Sequence, residues 1–238
     1  RSVLKGLMEG IHEAANMIGI EVLGGHSEIT SAVTKPIISA TAIGITGKDK
    51  FITSSGAKPG DDIIVTKSLG LEGSAILATD FGEYLTGKVS KETIKKAQHF
   101  IEKISVIDEG IIAAEIGVSA MHDITEGGLL GACFEVAEAS RVGTEIFHDL
   151  LPILPETRDI CTAFDIDPLG LISSGSMLIC TPKGDEVVKA LRASKIPATI
   201  IGKVTLRGKF MVSPDGKRPI VPFDRDELIR AIEKVQEL

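Results

Sequence analysis

The stretch Met121-His122-Asp123-Ile124-Thr125-Glu126-Gly127-Gly128-Leu129 decides how this chain is read. An apolar run from Ile111 leads into an acidic, hydroxyl-bearing turn. Two glycines then open a segment whose apolar positions, Leu129, Leu130, Cys133, Phe134 and Ala137, recur at helical spacing. Asp123 and Thr125 are thereby expected beside the amides of a helix N-terminus, where an anion, a carboxylate–metal pair or both can be held. The same residues suit a plain N-cap with a tight turn. The local pattern leaves both readings open.

A second glycine-rich acidic stretch, Gly24-Gly25-His26-Ser27-Glu28, stands far upstream. Its glycines let the main chain turn sharply and approach a ligand. His26 could donate a hydrogen bond or act as a base, and Glu28 could reach a metal or organise His26; a solvated hairpin turn fits equally. It has neither the Walker A ending nor the Rossmann glycine spacing. Asp61 and Asp62, just ahead of an apolar strand, could meet magnesium through carboxylate oxygen or merely solvate a strand edge. The loop Ser173-Ser174-Gly175-Ser176 could offer backbone amides to phosphate or form a turn before a strand. No serine–histidine–acid order is tied to a nucleophile elbow.

At 238 residues, with 43% apolar and 25% charged side chains, the chain can bury a substantial core as one large or two small domains. A net charge of −7, a single tyrosine (Tyr84) and no tryptophan argue against a nucleic-acid partner, which needs basic surface and stacking platforms. The three cysteines, Cys133, Cys161 and Cys180, form no CxxC pair, so buried thiols are expected rather than a zinc site or disulfide framework. No apolar run reaches membrane-spanning length and no signal peptide is visible, so a membrane partner is not expected and cytoplasmic residence is the default. Arg1 has no preceding Met, and Leu4, Leu7, Met8, Ile11, Ala15 and Ile18 already mark a helix in full stride. The chain is therefore read as a fragment, a processed chain or the ordered part of a longer protein.

The spacing predicts a helix over 2–18 and strands at 20–23, 37–45 and 63–65. Helices follow at about 70–80, 91–103 and 108–117, then the helix 128–140 and a strand at 143–147. A helix at 156–164, a strand at 176–180, a helix at 183–193 and a strand at 198–204 lead to a terminal hairpin around Pro214-Asp215-Gly216. The last helix begins near Asp224, with Asp224 and Glu227 as a capping box. This mixture predicts a mixed α/β (α+β) fold with two-layer packing in its carboxy-terminal part.

Taken together, the motifs resemble those of the ATP-utilising superfamily of aminoimidazole ribonucleotide (AIR) synthetase, formylglycinamidine ribonucleotide synthetase, selenophosphate synthetase and thiamine-monophosphate kinase. The resemblance extends to the hydrogenase-maturation HypE group and its relatives. It rests on the two stretches quoted above, on Gly56-Ala57-Lys58-Pro59-Gly60-Asp61, and on Asp167-Pro168-Leu169 and Ser174-Gly175 in the corresponding order. It implies a two-domain architecture, with residues 1–52 as a partial amino-terminal ATP-binding and dimerisation domain and 53–238 as the carboxy-terminal domain. It also implies ATP and magnesium, a homodimer, a small-molecule substrate and a possible maturation-complex protein as partner. Carried over by position, Asp123 becomes the metal- or phosphate-proximal residue, with Thr125, Gly127 and Gly128 shaping the phosphate-facing turn. Gly25, His26 and Glu28 become the opposing wall of the nucleotide cleft.

Three departures qualify the activity that the resemblance implies. Glu126 stands where the hydrogenase-maturation group commonly has Arg, Ile124 replaces its Pro, and Ser174 replaces a frequent acidic residue. That group also carries its modified carbamoyl unit on a cysteine in a terminal Pro-Arg-Ile-Cys tail, whereas this sequence ends Lys234-Val235-Gln236-Glu237-Leu238. Thiocyanate formation is accordingly not expected of this ending. The expected function is Mg-ATP-dependent activation of a small amide, carbonyl or phosphorylated substrate; the alternative is a non-catalytic nucleotide-binding or complex-forming homologue. No residue is assigned as the catalytic acid or base.

Overall fold

The apolar series beginning at Leu4 forms one helix, α1 (Ser2–Ile18), with Ala15 buried. The structure, a computed structural model, describes residues 2–48 and 50–236. It divides into two compact units, Arg1–Gly47 and Lys48–Leu238. In the amino-terminal unit the strands expected at 20–23 and 37–45 are not formed. Ile37, Ile43 and Ile45 are 76%, 87% and 100% exposed. An apolar sequence supplies the propensity for a strand, but a strand needs a second strand to take its amides and carbonyls, and none is paired with these residues.

The carboxy-terminal unit begins with β1 (Asp62–Thr66), α2 (Leu71–Asp80), α3 (Gly82–Leu85), α4 (Lys91–Gln98) and a 3-10 segment, His99–Lys103. Then come α5 (Ile107–Ile116), β2 (Ala120–Asp123), α6 (Gly128–Ser140), β3 (Gly143–Phe147) and α7 (Pro155–Phe164). The remainder is β4 (Met177–Thr181), α8 (Gly184–Ala193), β5 (Ala198–Thr205), β6 (Lys209–Ser213), β7 (Gly216–Pro219) and α9 (Glu227–Gln236). The strands form one seven-stranded sheet in the order β2-β4-β1-β5-β3-β6-β7. Every neighbouring pair is antiparallel except β3 and β6. The mixed α/β class expected from the sequence is the class observed.

Alternation along the central strands explains where the core sits. In β1, Ile63 and Val65 join the cluster built on α6, including Leu129, Cys133 and Val136. Ile64 points to the other face and joins Ala113 of α5 with Val187 and Leu191 of α8. β4 divides in the same way, with Leu178 and Cys180 on the α6 side and Ile179 on the other. Both faces of the sheet centre are therefore covered, and each fully buried aliphatic side chain contributes roughly 1.5–3 kcal/mol. A third cluster joins α2, α7 and α9 through Leu71, Leu77, Ile160, Phe164 and Ala231. At the sheet margin β7 is exposed along its length and carries Lys217, Arg218 and Pro219, residues that discourage further strand pairing.

The capping box expected at Asp224 and Glu227 is not the one observed. α9 starts at Glu227, and the Asp226 carboxylate accepts from the Leu228 N–H at 2.8 Å. Asp226 is buried and Asp224 is exposed, so the side chain that the fold encloses is the one that caps.

The three cysteines are buried, as expected. Burial, with the Cys180 thiol nearby, pushes Cys133 far up. Burial also raises Cys161 and Cys180 from 9.0 to about 12, with Asp167 and Glu227 adding to the first and Asp61 to the second. The unfolded chain would ionise these thiols near pH 9 while the folded chain keeps its protons. The unfolded state thus binds fewer protons above that pH, and the contribution, complete below about pH 9, is lost as the pH climbs toward about 12. Unfolding free energies from urea titrations should fall over that window, by at most about 1.4 kcal/mol per thiol per pH unit, and Cys161→Ala should flatten the slope. At pH 8 a disulfide reagent should label the unfolded chain and leave the native one untouched; equal labelling of both would contradict the burial.

Candidate functional site

β2 delivers the motif residues. Its short ladder with β4 pairs His122 with Leu178 and Asp123 with Met177, and the Ile124 N–H donates to Ser176 O at 2.9 Å. Ile124 is fully buried, so it anchors the turn while Asp123 before it is exposed. Among the described residues no donor within the protein reaches the Asp123 carboxylate. It opens onto a shallow depression of about 330 Å³ lined also by Ile52, Ser54, Val106, Met121 and Met177. His122 is held on both sides. Its Nε2 lies 2.7 Å from Glu135 Oε2, which as a carboxylate accepts, and its Nδ1 lies 3.3 Å from the Ser54 hydroxyl.

The turn after Asp123 is fastened from below. Gly127 and Gly128 have φ of 76° and 58°, left-handed values that glycine adopts without strain. A Cβ on Gly128 would lie 2.5 Å from Leu169 O and 2.8 Å from Leu171 O, so only glycine lets α6 start against that loop. The Gly127 N–H donates to Asp226 Oδ2 at 2.7 Å, and Gly128 N–H to Thr125 O at 3.1 Å. Two amides expected to face an anion are thus satisfied inside the protein. The same Asp226 carboxylate takes the Ile172 N–H at 3.2 Å. Glu227 next to it is fully buried, accepts from Asp167 N–H at 3.0 Å and pairs with Arg230 at 2.7 Å. Sequence reading missed this clamp; the adjacent acids Asp226-Glu227 before an amphipathic helix were its signal.

The other expected positions are distributed as follows. Thr125 is half-buried, and its carbonyl closes the turn. Gly25, His26 and Glu28 lie exposed in the amino-terminal unit, with His26 Nε2 4.0 Å from Glu28 Oε2. Asp61 is buried and accepts the Lys58 N–H at 2.9 Å, while Asp62 pairs with Lys203 at 2.7 Å; both acids close protein contacts rather than present free metal oxygens. Ser173 and Ser176 are buried too, Ser173 accepting from Gly70 N–H at 2.6 Å and Ser176 donating to Ser68 O at 2.6 Å. These two hydroxyls are bonded within the protein. A larger depression of about 480 Å³ lies by Phe81, Glu83, Tyr84 and Val235, and none of the motif residues lines it.

Among the described residues no three His, Cys, Asp or Glu side chains converge as a metal centre. The donor set at Asp123 still fits magnesium carried on a nucleotide, since that ion keeps several waters and takes one or two carboxylates plus phosphate oxygens.

The model for the AIR synthase related protein carboxy-terminal domain matches residues 58–213, and that for the amino-terminal domain matches residues 1–46. The chain belongs to the AIR synthase related protein family. A hydrogenase expression/formation protein of Methanocaldococcus jannaschii is 31% identical over 213 residues, covering 88% of this chain and 61% of that protein. Carbamoyl dehydratase HypE of Rhodobacter capsulatus is 25% identical over 196 residues, covering 82% and 55%. The crystal structure of E. coli HypE, a hydrogenase maturation protein, superposes with a TM-score of 0.62 at 25% identity, over 76% of this chain and 55% of that one. A HypE crystal structure in complex with ATP shares the fold, with a TM-score of 0.57 at 21% identity. This chain spans a little over half the length of these relatives.

The clamp makes a stability prediction. Asp226→Ala removes the acceptor of three backbone N–H groups and should lower unfolding stability by about 3 kcal/mol, whereas Asp224→Ala should stay within about 0.5 kcal/mol. Urea denaturation followed by far-UV circular dichroism decides it; equal midpoints for the two variants would contradict the clamp.

Proposed function

We propose that the full-length protein binds Mg-ATP and activates a small amide, carbonyl or phosphorylated substrate by phosphoryl transfer, in the manner of the HypE-type members of its family. The observation that carries this reading is the Asp123 carboxylate, presented without an internal partner at the mouth of a depression by a turn that the rest of the fold holds rigid. Family membership and the ATP complex of a HypE sharing this fold support it. ATP would supply the phosphoryl group, and magnesium would spread the charge developing on it. Asp123 would hold the metal. Thr125, Gly127 and Gly128 would set the height of the turn, and Gly25, His26 and Glu28 would contribute to nucleotide binding. We assign residues 1–52 to part of the ATP-binding and dimerisation domain and 53–238 to the carboxy-terminal domain, in a cytoplasmic protein; among the described residues no helix is long and apolar enough to cross a membrane.

A non-catalytic nucleotide-binding or complex-forming role is the second reading. It draws on the internal use of the Gly127 and Gly128 amides, which leaves the turn fewer donors for phosphate. A partner protein in a maturation complex belongs to either reading.

ADP release by full-length protein, assayed with a panel of small amides, phosphorylated metabolites and carbamoylated thiols, separates the two. Substrate-dependent turnover should appear and fall at least about 100-fold in Asp123→Asn, the scale of losing one electrostatic stabiliser of the transition state. Unchanged turnover in the variant would sink the role of Asp123, and nucleotide binding without turnover would favour the second reading. The exposed isoleucines of 37–45 support a homodimer that covers them. Light scattering of the full-length protein should give twice the monomer mass, and a monomer that still binds Mg-ATP would refute the assembly.

A further inference from the structure

Lys67 is the first residue after β1, and its backbone has a φ of 52°, a left-handed value that a lysine seldom holds. Its N–H is fixed on Pro197 O at 2.7 Å. The side chain is only 17% exposed and runs into a ring of oxygens. Nζ lies 3.2 Å from Lys103 O, 2.5 Å from Ser105 O and 3.1 Å from Gly175 O. A fourth oxygen, Glu109 Oε1, is 2.5 Å away on a carboxylate 2% exposed. An ammonium has three N–H groups and cannot aim one at each of four oxygens. The Glu109 oxygen indeed has no aligned donor despite its closeness.

The ring is made by the main chain. Gly175 has a φ of 102°, and a Cβ there would meet Lys103 O at 2.7 Å and Ile104 Cα at 3.0 Å. Only glycine lets these two segments come close enough for their carbonyls to share one positive charge. Ser105 immediately precedes Val106 and Gly175 stands two residues before Met177, two walls of the Asp123 depression.

We propose that Lys67 fills a monovalent-cation site, its ammonium standing where a potassium or ammonium ion would otherwise sit. A converging ring of carbonyls that replaces a hydration shell is the chemistry that holds potassium, and the buried Glu109 carboxylate demands one positive charge within reach. Two of the four spacings, 3.1 and 3.2 Å, exceed the distance of about 2.3–2.6 Å at which calcium binds oxygen and the still shorter one of magnesium, and the other two are 2.5 Å, so the ring as a whole is wider than either ion's shell. The protein therefore needs no free cation here, and a chain deprived of this side chain acquires the need. The inference stands on this ring alone and does not depend on nucleotide binding.

The test is thermal unfolding of full-length wild type, Lys67→Ala and Lys67→Ala/Glu109→Gln. Each is measured in N-methylglucamine, lithium, potassium and ammonium chlorides at one ionic strength. Wild type should melt alike in all four. Lys67→Ala should melt several degrees lower in N-methylglucamine and lithium and recover most of that loss in potassium or ammonium; the double variant, whose ring has lost its charge, should recover little. Equal midpoints for Lys67→Ala in every salt, or a wild type that shifts as much, would overturn the site. Should Lys67→Ala be recovered only unfolded, refolding from urea in the same salts replaces melting. Refolding with potassium or ammonium alone supports the site, and failure in all four overturns it.

Discussion

One buried carboxylate ties the motif region together. Asp226 takes amides from the glycine turn, from the loop at Ile172 and from the first turn of its own helix. These three segments lie far apart in the sequence; the β2–β4 ladder runs beside the first two, and none of the bonded amides is itself in a strand. Hydrogen bonds to an ionised acceptor are roughly twice as strong as neutral ones and more exacting in direction. The glycine turn therefore has its height and tilt fixed by the carboxy-terminal helix. Asp123 stands free because its surroundings are so thoroughly occupied, and that contrast between a saturated base and an unsaturated tip is what distinguishes the site.

Much of the fold was legible because its elements are driven by local periodicity. The stretch Ile63-Ile64-Val65 reads as a doubly buried strand, and Leu129, Cys133 and Val136 mark one face of a helix wherever they are met. The apolar segment 37–45 shows where such reading stops, since propensity is a property of the residues and pairing a property of the partner strand. The capping error at α9 has a similar origin. Asp224 and Asp226 are both plausible caps by type, and what separates them is that Asp226 sits beneath a turn about one hundred residues upstream, a long-range fact.

The site was legible in part. Asp123 and the paired glycines were visible as a chemistry-bearing turn, and the structure gives them different duties: Asp123 is exposed, Gly127 bonds Asp226 and Gly128 packs against Leu169 and Leu171. The acids and serines that competed for notice proved to close contacts inside the protein. No local pattern announced Glu135 as the partner of His122, or Glu109 as that of Lys67. Such pairings depend on how helices cross a sheet, which periodicity leaves open.

The position of β1 carries a consequence for how this unit comes into being. It is the first strand of the sheet to be synthesised, yet its neighbours on either side are β4 and β5, which arrive only after more than one hundred further residues. Until residue 181 has left the ribosome, Ile63, Ile64 and Val65 have no ladder to enter, and their second ladder waits for residue 205. Closing so long a loop before any strand contact rewards it makes non-local sheets slow to assemble. For that interval a strongly apolar strand is a sticky, unpaired segment of the kind that chaperones shield, so a strand buried at the centre of the finished sheet is exposed to misadventure during its synthesis.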